Sequence, residues 1–143
     1  MSQENVEIVS AALKAWNRRD AQAALACADP DIEVREDSTL PDPEVFHGPE
    51  GIIQSVAKGE QVLGEITWEP EEFFDLGERV LIVIRLLGSG THSGAPVDQR
   101  IAQIWTLRNS KVICLETFFL LSRALEAAGL PLSEYGSLLE PRS

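Results

Sequence analysis

The hydrophobic pattern of this chain changes period once, near Ile66, and that change constrains the fold more than any single motif. Before it, apolar residues recur at helical spacing; after it, they alternate. Val6, Val9, Leu13 and Trp16 share one face of a predicted helix over the first 19 residues, with Ser2 as its cap and Glu4 and Glu7 near its positive end. Asn17-Arg18-Arg19-Asp20 interrupts the pattern, and Asp20 is placed to cap a second helix, 21–28, that Asp29-Pro30-Asp31 ends. A short alternating strand, 32–36, and an acidic, proline-containing loop, 37–44, follow. Pro49 and Glu50 suit the first turn of a third helix with Ile52, Ile53, Val56 and Leu63 as its apolar face.

Beyond Ile66 the alternation predicts strands at 66–74, 79–87, 97–107 and 111–120. Two joins are short enough for hairpins, and 88–96 is a longer loop, so the four strands form an antiparallel meander. A last short helix, 122–128, stops at Gly129 and Pro131. Helices segregated from a run of antiparallel strands define the α+β class. The expected organisation is one domain over 1–143, with a core over about 3–130 and a tail from 131 to 143.

A hydrophobic fraction of 44% over 143 residues is enough for a real core. The formal net charge of −11 disfavours nucleic acid and anionic membranes as partners. The start shows no basic segment followed by an apolar one, and no run reaches membrane-spanning length. Cys27 and Cys114 lie far apart without a CxxC pattern, so they read as reduced core residues in a cytoplasmic protein. His47 and His92 have no partner at ligand spacing, so neither a metal nor any other cofactor is expected. The loop 88–94 superficially resembles a phosphate loop, but no helix follows it to present a dipole.

Several segments together resemble the nuclear transport factor 2-like superfamily, and the SnoaL-like branch in particular. They are the Asn17-Arg18-Arg19-Asp20 step, Asp31-Ile32-Glu33-Val34, the helix entry Phe46-His47-Gly48-Pro49-Glu50-Gly51-Ile52, the run from Arg100 to Arg108, Lys111-Val112-Ile113, and Ala124 to Leu130. The resemblance implies a cone: a curved antiparallel sheet wrapped around the N-terminal helices and enclosing an apolar pocket. It implies no single reaction, because the superfamily carries isomerases, dehydratases, hydrolases, cyclases and binding proteins.

Placed on the ketosteroid-isomerase pattern, Asp98, Arg100, Ala102, Ile104 and Thr106 face inward on the third meander strand. Gln99, Ile101, Gln103, Trp105 and Leu107 then face outward, and Ile113, Leu115, Thr117 and Phe119 face inward on the last strand. The isomerase oxyanion donors fall at Ala12 and Ala102, and groups often found in the SnoaL-like branch fall at Gln103 and Leu120; none of the four matches. The general-base position falls at Glu36 or Asp37. The catalytic candidates are therefore Glu36, Asp37 and, on the rim before the third helix, His47. The ligand-binding candidates are Asp98 and Arg100, read either as a polar anchor or as a solvated pair, and Trp16 inside the first helix. An outward Trp105 beside Ile101 favours a homodimer through the outward sheet face. The function expected is a pocket for a hydrophobic or polycyclic ligand, with room for weak acid–base activity of isomerase, cyclase or hydrolase type. The alternative is a non-catalytic dimeric module whose cone is filled by its own side chains.

Overall fold

In a computed structural model, residues 2–90 and 95–139 are described, and His92 with the centre of its loop lies outside them. Helix α1 (Ser2–Asn17) buries Val9 and Leu13 of the predicted face, together with Ala12, in the inner core, and packs the half-buried Val6 and Trp16 against it. Its end is fixed by polar contacts to an exposed strand edge. The Asn17 amide donates to the Trp68 carbonyl at 2.7 Å and accepts from the Trp68 N–H at 2.9 Å. Arg19, at φ 63°, donates to the Ile66 carbonyl at 2.7 Å, while Glu60 accepts from the Ile66 N–H at 2.9 Å. These side chains occupy backbone groups that would otherwise invite another strand.

Helix α2 (Ala21–Leu25) is capped by Asp20, which accepts from the Ala23 N–H at 3.1 Å. It is shorter than expected because strand β1 (Ala28–Arg35) starts at Ala28 and runs through Asp29-Pro30-Asp31. The proline is accommodated where the register slips between Ala28 and Glu33, a place that needs no ladder N–H. Strand β2 (Val45–His47), read as loop in the sequence, pairs antiparallel with β1 at the sheet edge. Helix α3 (Gly48–Leu63) follows with Pro49 in its first turn. A Cβ on Gly51 would lie 2.9 Å from the Phe46 Cβ, so glycine permits that close approach.

The meander is β3 (Ile66–Asp75), β4 (Arg79–Gly88), β5 (Val97–Arg108) and β6 (Lys111–Phe118). Asn109 and Ser110, at φ 52° and 63°, make the β5–β6 turn with both residues in the left-handed region that a tight hairpin requires. Strand β1 lies parallel to β6 and completes one six-stranded sheet in the order β2-β1-β6-β5-β4-β3. This is the mixed α+β architecture expected, with a curved sheet and N-terminal helices.

Two apolar layers sandwich that sheet. The inner one joins Val9 and Leu13 of α1 and Ile52 of α3 to Trp68, Ile84 and Ile101. The outer one sets Ala124 and Ala128 of α4 (Leu121–Ala128) against Leu81, Val83, Ala102 and Ile104. Gly129, at φ 74°, ends α4, and the Leu130 N–H closes back on the Leu125 carbonyl at 2.9 Å. Part of the expected tail is ordered as α5 (Leu132–Tyr135) and a 3-10 turn (Gly136–Leu139), with Tyr135 edge-on to Phe74 at 5.5 Å.

The expected orientation of β5 is reversed. Gln103 pairs with Thr117 and Trp105 with Leu115, so the odd-numbered residues face the helices and the even-numbered ones face α4. Trp105 is only 4% exposed and lies in the inner core, which removes the outward tryptophan as an argument for dimerisation.

Candidate functional site

Between the sheet's inner face and helices α1 and α3 lies a half-enclosed cavity of about 540 Å³. The helices contribute Leu13, Trp16, Ile52, Val56 and Leu63; the sheet contributes Trp68, Leu86, Ile101, Leu115 and Phe119. Trp16 packs at 6.5 Å from Trp68, and Trp105 completes the wall, so all three tryptophans of the chain line this space. Their side chains do not fill the cone.

Several polar side chains line the cavity, Ser55 and Gln99 among them, and two groups of them are hydrogen-bonded. On the sheet, the Trp105 indole N–H donates to Gln103 Oε1 at 2.9 Å, and Gln103 Nε2 donates to Thr117 Oγ1 at 3.4 Å. Gln103 is 8% exposed. At the rim, Lys58 Nζ donates to Glu36 Oε1 at 3.0 Å and to Glu44 Oε1 at 2.6 Å, over the Phe46 ring. Hydrogen bonds from Lys58 to Glu44 and Glu36 push the lysine pKa above its ordinary value, so the rim cation stays charged.

Asp37 lines the cavity but its carboxylate is committed elsewhere. Oδ1 accepts from the Thr39 N–H at 2.7 Å and hydroxyl at 2.6 Å, and Oδ2 accepts from the Phe119 N–H at 2.6 Å. Burial pushes its pKa up, but these donors, helped by the charge of Arg123, more than offset it, and the net pKa lies below the ordinary value. Such a carboxylate is a poor proton acceptor and a good fastener. Glu36 is a half-buried member of the cavity wall. His47 is exposed on β2 and does not line the cavity.

The two charged candidates on β5 lie across the sheet from the cavity and do not form the pair expected. Asp98 accepts two hydrogen bonds from Arg85, at 2.8 and 2.5 Å, while Arg100 donates to Glu71 at 2.9 Å. Arg85 sits directly opposite Arg100 across the β4–β5 ladder, so the acids flanking them balance two like charges. Of the sequence candidates, the structure brings Trp16, Glu36 and Asp37 to the cavity and leaves His47, Asp98 and Arg100 outside it. Gln103 and Thr117 were not singled out as site residues. A usable signal is the alternation itself, because the Gln103-containing set of β5 carries no charge and the opposite set carries three, Asp98, Arg100 and Arg108.

A second hollow, of about 600 Å³, lies on the outer face, where Asp29, Asp31, Glu33, Arg35, Arg108 and Lys111 border it. It has little apolar wall, and Arg35 already pairs with Glu33 at 2.9 Å. The inner cavity is therefore the candidate site. No group of three or more potential metal ligands occurs among the described residues. Among the same residues, no helix is long and apolar enough to cross a membrane.

The model of the SnoaL-like domain matches residues 9–114. No curated protein matches the chain. Among solved structures, TerC co-crystallized with polyporic acid is 23% identical over 88% of this chain and 98% of its own, with a TM-score of 0.72. An NTF2-like protein from Burkholderia xenovorans is 29% identical over 81% of this chain and 88% of its own, with a TM-score of 0.67. A protein with a ketosteroid isomerase-like fold from Catenulispora acidiphila, in complex with trimethylamine, is 20% identical over 89% of this chain and 95% of its own, with a TM-score of 0.68.

Proposed function

The chain belongs to the SnoaL-like domain family, and on that premise we propose that it binds an uncharged, hydrophobic or polycyclic small molecule in the inner cavity. The observation that carries this reading is an unfilled space of about 540 Å³ with a predominantly apolar wall, the size and character of small-molecule sites. Two relatives of the same fold were crystallised with small molecules, which supports it. Glu36 and Asp37 in the wall, and the net charge of −11, oppose an anionic ligand. The test is titration with N-phenyl-1-naphthylamine, a neutral apolar fluorophore, read as energy transfer from tryptophan. Saturable transfer is expected, since every tryptophan lines the cavity; absence of binding overturns the reading.

A second reading, proton transfer to or from the bound molecule, rests on Glu36. It is the one acidic candidate at the cavity whose carboxylate is not locked by the three-donor arrangement seen at Asp37. Turnover of a carbonyl substrate that disappears in Glu36→Gln with binding intact is the expected signature.

We also propose that two copies pair through the outward face of the sheet. Glu69, Glu71, Arg85, Asp98 and Arg100 present alternating charges that a two-fold-related copy could match. Sedimentation at low and high salt tests it, with a salt-weakened dimer expected. The free thiols of Cys27 and Cys114 support a reducing, cytoplasmic setting.

A further inference from the structure

We infer that Gln103 and Thr117 form a hydrogen-bond donor pair that selects a neutral ligand carrying an acceptor oxygen, a carbonyl above all, and that Trp105 fixes the polarity of the pair. This rests on the reading that the cavity takes an apolar small molecule.

Each of the three side chains has a fixed capacity to donate or accept. An indole N–H donates and never accepts. Trp105 therefore holds the Gln103 side chain with its oxygen toward the indole, at 2.9 Å. The opposite orientation would set two donors against each other inside the core. With the oxygen so committed, the Gln103 NH2 group must point the other way, and it reaches Thr117 Oγ1 at 3.4 Å. Nε2 also only donates, so the threonine oxygen accepts that bond and its own hydrogen is left to donate.

The polarity thus runs in one direction, from indole to amide to hydroxyl. Gln103 retains a second N–H, and Thr117 retains its O–H. Gln103 and Thr117 are opposite each other on β5 and β6, and both line the cavity. A chain of this kind strengthens its terminal donors, because each bond polarises the next.

What meets those donors must be an acceptor. The carboxylates of Glu36 and Asp37 in the same wall disfavour an anionic one, and the wall's cations are already paired, Lys58 with Glu36 and Glu44, and Arg35 with Glu33. The remaining acceptors of suitable chemistry are uncharged oxygens on an apolar frame. A hydrocarbon of the same frame would bury Gln103 and Thr117 with donors unmet, which a site built this way rejects.

Fluorenone and fluorene test this, since they share one frame and differ at a carbonyl. Each is used to displace N-phenyl-1-naphthylamine from the wild-type protein. Fluorenone is expected to displace it about tenfold more tightly than fluorene, the scale of one net hydrogen bond. Its carbonyl stretching band is expected to shift to lower frequency on binding. Gln103→Leu and Thr117→Val should each shrink the ratio of fluorenone affinity to fluorene affinity. Trp105→Phe should shrink it too, because the amide is then free to turn its oxygen toward the cavity. Fluorenone binding no better than fluorene in the wild type, with the fluorophore bound, overturns the inference and leaves the pocket reading standing. An unshifted carbonyl band overturns it as well, and neither wild-type result depends on a variant that folds. Failure of the fluorophore itself to bind overturns both.

Discussion

The carboxylate of Asp37 accepts the backbone N–H of Phe119 at 2.6 Å, which ties the loop after β1 to the segment leaving β6. The two residues are 82 positions apart in sequence. Asp37 also holds its own loop through Thr39, so one buried side chain closes a turn and joins that turn to the far end of the sheet. A carboxylate so held contributes to the stability of the fold.

That assignment has a pH signature. The folded-state pKa of Asp37 lies below its ordinary value, about 3.9 in an unfolded chain. Its stabilising contribution is therefore fully present above that ordinary value and is lost as pH falls through the folded one. Chemical denaturation between pH 7 and pH 3 should show stability falling at the acid end, with part of that fall missing in Asp37→Asn. At pH 7, Asp37→Ala should cost about 3 kcal/mol, the scale for losing hydrogen bonds to a buried charge.

Asn17 makes a comparable link between α1 and the edge of β3. Replacing it with alanine leaves the Trp68 N–H and carbonyl without the side chain that meets both, and should cost about 1–2 kcal/mol. The newly bared strand edge should also raise aggregation on heating, measured by light scattering.

Arg100→Ala and Asp98→Ala should leave the affinity for N-phenyl-1-naphthylamine unchanged, because both side chains lie across the sheet from the cavity. The Arg85–Asp98 pair is exposed, so its loss should change stability little. A large loss of affinity in the folded Arg100 variant would place that residue in the site after all.

Burial raises the pKa of both thiols, with desolvation the largest cause at Cys27 and at Cys114. At neutral pH each should therefore react with iodoacetamide more slowly than a free peptide thiol, since the thiolate is the nucleophile. Mass spectrometry on the native protein followed over time measures this directly.

Much of the fold was legible because punctuation and period agreed. Asp20 as a cap, Pro49 in a first turn, Gly129 as a stop and the alternation after Ile66 each act through local physics, and each stands where the sequence places it. Strand β2 escaped because three residues carry no period, and β1 was cut short because Asp29-Pro30-Asp31 resembles a break when the bulge that accommodates it is unseen. The site was less legible. The ketosteroid-isomerase pattern sets Asp98 and Arg100 inward on β5, although the chain's own alternation places three charges on that side and none on the other. Pairing with β6 decides it, and pairing is a long-range property. The Gln103–Trp105 bond links residues two apart on one strand face, a spacing visible in the sequence, but nothing local signals that a cavity lies beside it.

Binding of an apolar molecule in the cavity is decided by comparing wild type with Ser55→Phe. Ser55 lines the cavity from α3, and a phenyl ring there would occupy the space without touching the outer layer. N-phenyl-1-naphthylamine is titrated into both proteins, with tryptophan emission and energy transfer as the readout. Saturable one-site transfer is expected in wild type, with at least a tenfold loss of affinity in a Ser55→Phe protein that remains folded. Equal binding by the two proteins would contradict binding in the cavity.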